Sequence, residues 1–499
     1  MKNRLYLHLM ANREKGFALP LAVLIGLILM VTGMTMIMRS QGDQSKAIAQ
    51  KVRADALRSS EAGVARVQDL LNSVRVMARF NSNSNCTPKG CWRNAQVPAG
   101  NPSNDLEKHL KKLVDAAACS NPDNPNAAAT LTAKIADLRN LSGGQWEPLG
   151  NNRYYRVVQY NFGDTNPPRN GLGWGVLTLE GRSRTSAARD LTNTGRDIDN
   201  DDNAASRNRV VVTIPILNSP PLAFNRNTVP ALWISEGTAD DGARFQGDVV
   251  EVVVSPCNIN ETKIQQPTTP PNPLYKAQPG GVPFPDLPPI PDGITITNLG
   301  NITSSETFPR KNADGVIIDP SSTRRINGQS VQVYEYIVNN INLGDGDKIT
   351  ITPGRQVVFY VRGNINGAIE HNCATVTGCK PGNLQIYANN GLGSTAPQIC
   401  LRGDQTLQAF IFAPDYSLGK TGTGFTGAAW GKNWGQIAAT CPSTSGAVAV
   451  TQGVEWTELI QDLKPKFPRL SGVANWCEEP IDTTATSLCA PTASPSPSP

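Results

Sequence analysis

The first residues in this chain of 499 with the types and spacing for chemistry are acidic. Asp345 and Asp347, with Lys348 and Arg355 nearby, stand in and after the run Gly344-Asp345-Gly346-Asp347, between two short apolar stretches. Paired carboxylates can share general acid and base work on a glycosidic bond. The same run is ordinary turn chemistry, and the turn is the reading we favour. His371 lies between Glu370 and Asn372, close to Cys373 and Cys379, and reads as a loop residue rather than a base or ligand. No Walker A loop, HExxH or G-x-S-x-G elbow occurs. The sequence therefore points to no enzyme and no cofactor.

Asp197, Asp199 and Asp201 place carboxylates at alternate positions, as a calcium loop does. The match is partial. Asp202 stands where such a loop has glycine, and Asn208 where it has an acidic twelfth residue. A solvated acidic loop is the simpler reading. Trp430, Trp434 and Trp456 offer aromatic faces for a sugar or a protein, or close the end of a core, which we prefer.

Ten cysteines are present: Cys86, Cys91, Cys119, Cys257, Cys373, Cys379, Cys400, Cys441, Cys477 and Cys489. None forms CxxC, and with three histidines a zinc site is not expected. Disulfides in an oxidising compartment are expected instead. Proximity in sequence favours Cys86–Cys91, Cys373–Cys379 and Cys477–Cys489, then Cys400–Cys441, leaving Cys119 with Cys257.

Charged residues make up 17% and the formal net charge is +5, most of it within residues 1–16, so the rest is near neutral. That balance gives no global signal for nucleic acid. With 44 glycines and 38 prolines the chain favours strands joined by many turns, and its length suggests two or three units.

The elements that position these residues begin at the N-terminus. Phe17 to Met38 is a run of 22 residues without a charge, long enough to cross a hydrocarbon core of about 30 Å as a helix. Basic residues precede it, which predicts a cytoplasmic N-terminus and export of the chain beyond Arg39. A cleaved secretory signal fits poorly, because the stretch is long and MIMRSQGD comes at its end. A plain single-pass anchor is a second reading. Beyond the apolar run, Ile48, Val52, Ala56, Val64, Val67, Leu71 and Val74 recur at helical steps with one gap at Ser60, predicting an amphipathic continuation.

Glu14-Lys15-Gly16-Phe17 ahead of that helix, and the run Arg58-Ser59-Ser60-Glu61-Ala62-Gly63-Val64-Ala65 within it, carry a third reading. Together they resemble a prepilin peptidase site and the AAEAG-type signature of PilX-like minor type IV pilins and pseudopilins. The resemblance covers about residues 13–75. It implies cleavage between Gly16 and Phe17, methylation of Phe17, and a stem helix that packs in a fibre core, with Leu21, Gly26 and Gly33 in that stem. Its implied partners are other pilins or pseudopilins, the prepilin peptidase, an inner-membrane assembly platform and a surface or polysaccharide ligand. Major pilins carry Glu as the fifth mature residue; here it is Leu21, which argues for a minor, tip-type subunit.

Two helices (Asp105–Ala118, Ala127–Leu138) and three strands (Tyr154–Phe162, Gly173–Thr185, Arg209–Leu217) come next. From Leu222 the pattern becomes short apolar bursts punctuated by Gly, Asn and Asp, which suggests a β-solenoid, with a β-sandwich as runner-up. VVFYVRGNING, NLQIYA and residues 408–434 resemble the solenoid of some PilX-like proteins, of the cyanobacterial minor pilin or hormogonium polysaccharide secretion type.

The expected fold is α+β. It has a leader at 1–16, a stem helix at 17–80, an α/β head at 81–220, a β-solenoid at 221–476 and a tail at 477–499. A Pro-rich surface loop is expected at about 265–291. The expected function is a minor pilin or pseudopilin, inserted in the inner membrane and then carried in a periplasmic or extracellular fibre. The alternatives are a membrane-anchored polysaccharide-active enzyme and a calcium-dependent adhesin.

Overall fold

A computed structural model describes residues 18–120, 126–184, 205–235, 239, 243–251, 261–290, 296–435, 450–479 and 489. The chain is α+β: a long N-terminal helix, then strand-rich structure with extensive parallel pairing. Helix α1 runs Ala18–Ser73, 56 residues without a break. No proline interrupts it after Pro20, in its first turn, where a missing N–H costs nothing.

Helices α2 (Asp105–Ser120) and α3 (Ala127–Leu141) come after it. The start of α2 is held by its own side chains. Asn104 Oδ1 accepts the Glu107 N–H at 2.9 Å, and Glu107 Oε2 accepts the Ser103 N–H at 2.7 Å, which satisfies donors the first turn leaves open.

Strands β1 (Glu147–Gly150), β2 (Arg153–Gly163), β3 (Gly171–Arg184) and β4 (Ala205–Asn218) form an antiparallel sheet in chain order. Tyr155, Val157, Tyr160, Leu177, Leu179, Val210, Val212 and Ile214 point inward from it and pack with Val64, Val67, Leu70 and Leu71 of α1. Ser59 and Ser60 are also fully buried there, so the gap in the apolar stripe is a contact: Ser60 Oγ donates to the Asn208 carbonyl at 3.4 Å. Ile48, placed in the stripe by its spacing, is instead 46% exposed, because the sheet does not reach that turn.

The strand-rich part contains β5 (Leu232–Ile234), β6 (Phe245–Gln246), β7 (Val249–Glu251), β8 (Ala277–Pro279), β9 (Thr297–Ile302), β10 (Glu306–Phe308), β11 (Ser322–Ile326) and β12 (Gln329–Asn342). It continues with β13 (Lys348–Ile351), β14 (Gln356–Val361), β15 (Ile365–Glu370), β16 (Leu384–Ala388), β17 (Gln398–Arg402), β18 (Leu407–Lys420), β19 (Phe425–Trp434) and β20 (Val450–Gln452). One parallel row reads β12-β14-β16-β18-β19-β5-β7-β8. A second reads β10-β13-β15-β17-β18.

Register aligns one ladder of side chains, Tyr336, Phe359, Ile386, Ile411, Ala429, Leu232 and Val249, all within the same core. The adjacent ladder, Tyr360, Tyr387, Phe412, Trp430, Trp233 and Val250, fills a second core on the other face. Burial on both faces is why Gln356–Val361 is a continuous apolar run rather than an alternating one.

Strand order is not chain order. β5, β7 and β8 stack beyond β19, some 200 residues later in the sequence. The chain must cross from that end to β9 at the other, and it does so through the Pro-rich stretch. Residues 265–276 of that stretch are mostly exposed, as its composition suggests, but the later part is not a surface loop. Val282, Phe284, Leu287 and Ile290 lie on the second core, and β8 belongs to the row. The prolines hold it extended over the sheet while its apolar residues face in.

The expected boundary at 476 also fails. β21 (Pro468–Leu470) and β22 (Asn475–Glu479) return to pair antiparallel with β4 of the first sheet. The chain thus leaves that sheet at Asn218 and comes back to it.

Candidate assembly surface

The first half of α1 is the largest feature of the chain with no partner among the described residues. Its best window has a mean hydropathy of 2.5 and none of it is buried. Leu19, Val23, Leu24, Leu27, Ile28 and Met30 are exposed all round the helix. By length and composition it is apolar enough to cross a membrane, as a membrane anchor or a signal sequence is. Its polar side chains are satisfied internally: Thr32 Oγ1 donates to the Ile28 carbonyl at 2.8 Å and Thr35 Oγ1 to the Val31 carbonyl at 2.9 Å. Such back-bonding removes hydroxyls from the list of groups that need water.

Leu21 is 49% exposed on this half. A Cβ at Gly26 or Gly33 would meet nothing within 4 Å. The two glycines are seven residues apart and share a face. Gly16 and Phe17 lie outside the described residues.

The four charged residues weighed for catalysis make contacts of their own. Asp345 is almost fully exposed and meets Arg402 at 3.1 Å. Asp347 accepts from Ser305 Oγ at 2.9 Å, Lys348 pairs with Glu370 at 3.0 Å, and the Arg355 N–H caps a turn at Thr352. The tryptophans are core residues. Trp430 and Trp434 are fully buried in different cores, and Trp456 packs on Phe224 and Trp430 with Lys464 over its ring. Asp197, Asp199 and Asp201 lie outside the described residues.

Disulfides join Cys86 to Cys91, Cys373 to Cys379 and Cys477 to Cys489. Cys400 is also disulfide-bonded. Cys257 and Cys441 lie outside the described residues, and Cys119 is described only as part of the α2 backbone. His371 is not the loop residue the sequence suggests. It is 1% exposed and bridges in parallel to Leu407 at the start of β18.

A cleft of about 780 Å³ opens between the first sheet's helices and the strand-rich part, lined by Arg79, Asp105, Lys108, His109, Phe284 and Lys464 among others. Burial, with the charge of Arg79, pushes His109 down to about 4, so its imidazole is neutral at pH 7. Lining drawn from segments far apart in sequence left this cleft without a local signal. No protein-family model, curated protein or solved structure matches the chain.

Proposed function

We propose that the chain is a low-copy minor pilin or pseudopilin, a subunit of a type IV pilus or type II secretion-like fibre placed at or near its tip. One observation carries this reading: a single 56-residue helix is apolar and unburied from Ala18 to Met38 and has one face buried against an antiparallel sheet from Val52 onward. A helix built in that way anchors a subunit in the inner membrane and then packs against the stems of other subunits. The run Arg58–Ala65 supports the reading from the other side, since Ser59, Ser60 and Gly63 are the small residues that let the sheet lie close. The parallel rows are read as the coils of a β-solenoid-like display unit. With its cross-over strap it is bulky, which suits a tip better than a close-packed shaft.

The work of such a subunit is assembly and contact rather than chemistry. Prepilin peptidase, an assembly platform, other pilins and a surface or polysaccharide ligand are the partners this reading implies. Shearing fibres from cells and measuring this chain against the major subunit tests it. A few copies per fibre, with immunogold at fibre ends, is the expected result. Absence from sheared fibres would overturn the reading, and labelling along the whole shaft would overturn the tip placement.

A further inference from the structure

His371, Cys373 and Cys379 present three metal-ligating atoms within 4.8 Å of one another. The histidine is held as a ligand would be. Its Nδ1 lies 2.5 Å from the Gln408 carbonyl oxygen, which can only accept, so Nδ1 carries the proton and Nε2 offers a bare lone pair. That lone pair faces both sulfurs, at 3.5 Å from each. Gln408 locks the frame twice more: its N–H donates to the His371 carbonyl at 3.0 Å, and its Oε1 accepts the Cys373 N–H at 3.0 Å. Orientation of a ligating imidazole by a backbone carbonyl is the usual outer-shell arrangement of a metal site.

A disulfide has no need of this imidazole. Its sulfurs carry no proton to donate, so the buried Nε2 gains little from facing them. The nitrogen–sulfur distances suit a different occupant once reduction lets the two sulfurs, bonded to each other in the disulfide, move apart. A nitrogen at about 2.0 Å and a sulfur at about 2.3 Å from one tetrahedral ion stand roughly 3.5 Å apart. We infer that His371, Cys373 and Cys379, when the two cysteines are reduced, form a site for a thiophilic d10 cation, Zn²⁺ or Cu⁺. Two thiolates and one imidazole suit either ion. The half-buried sulfurs leave an open side where zinc takes a water as fourth ligand.

The chemistry balances with a dithiol as reductant. The Cys373–Cys379 bond breaks, each sulfur gains an electron and a proton, and the dithiol becomes its own disulfide. Cation binding then releases the two thiol protons to solvent. The same thiols exist before the disulfide first forms, so oxidation and metal capture compete for one pair.

The full chain in detergent micelles, reduced with a water-soluble phosphine that is then removed under anaerobic conditions, tests this with Co²⁺ as spectroscopic probe and Zn²⁺ and Cu⁺ as competitors. Reduced wild type is expected to show tetrahedral cobalt bands with sulfur charge transfer. Cys373→Ser/Cys379→Ser should bind one equivalent fewer. His371→Gln, which keeps both thiols, should bind that equivalent at least 10-fold more weakly. Displacement by Zn²⁺ or by Cu⁺ identifies the preferred ion. If the double serine variant binds as many equivalents as wild type, or oxidised wild type binds as well as reduced, the site does not exist. An unchanged affinity in His371→Gln would remove the histidine from it.

Discussion

A Cβ built on Gly181 would stand 2.2 Å from the carbonyl oxygen of Ala56 and 2.4 Å from Ser60 Oγ. Strand β3 therefore crosses α1 with backbone against backbone, and only glycine fits at the crossing. Gly63 makes the reciprocal contact, with an added Cβ 2.7 Å from the Tyr155 ring. Gly181→Val is expected to destabilise the sheet–helix unit by about 1–3 kcal/mol, since backbone cannot yield as a flexible side chain would. Urea unfolding of the full chain in micelles measures it. Gly26→Ala, where nothing lies within 4 Å, should leave the transition unchanged.

Glu180 is fully buried on β3 and is bound by Arg156 at 2.7 Å, Arg207 at 2.8 Å and Arg209 at 2.7 Å. Burial alone would raise its carboxyl; hydrogen bonds from Arg207 and Arg209, with the charge of Arg156, outweigh that and hold it below the ordinary range. A depressed carboxyl contributes stability that is fully present above its unfolded value, about 4.3, and is lost as pH falls through the folded one. Glu180→Gln should cost about 1–3 kcal/mol at pH 7 by replacing charge-assisted hydrogen bonds with neutral ones. It should also flatten the acid limb of the stability profile.

Glu251 behaves in the opposite sense. It is 5% exposed, its Oε2 has no hydrogen-bond partner among the described residues, and burial, opposed by Lys263, raises it to about 7. Between about 4.5 and 7 the folded state then holds more protons than the unfolded one, so stability falls as pH rises across that window. The fall is on the order of 3 kcal/mol. In Glu251→Gln the fall should vanish, and stability at pH 7.5 should exceed that of wild type. Thermal unfolding at a series of pH values reads both effects.

Much of this was legible in the sequence and some was not, for physical reasons. An uncharged run from Ala18 to Met38 has no sensible form but a helix, and glycine and asparagine at the strand ends mark β2 to β4. Ser60 read as a gap in the apolar stripe because what buries it, the bare backbone at Gly181, lies about 120 residues away. Pairing of β22 with β4 and of β19 with β5 spans still longer separations and leaves no local period. Proline content disguised the apolar face of Val282 and Phe284. His371 read as a loop residue because its partner, Gln408, comes from a distant strand.

Leu21 tests the tip placement. A carboxylate in the apolar half of α1 costs on the order of 3 kcal/mol unless a neighbour's amine reaches it. Leu21→Glu should lower incorporation into sheared fibres several-fold, as read by quantitative immunoblot. Increased incorporation would move the subunit from the tip into the shaft.

Mass spectrometry of the N-terminal peptide of the cell-derived protein tests the fibre assignment most directly. The account predicts a chain that starts at Phe17 with one methyl group on its amine, and loss of that product in Gly16→Val. A mature chain still carrying Met1–Gly16, or one cut beyond Met38 so that the apolar helix is gone, would contradict it.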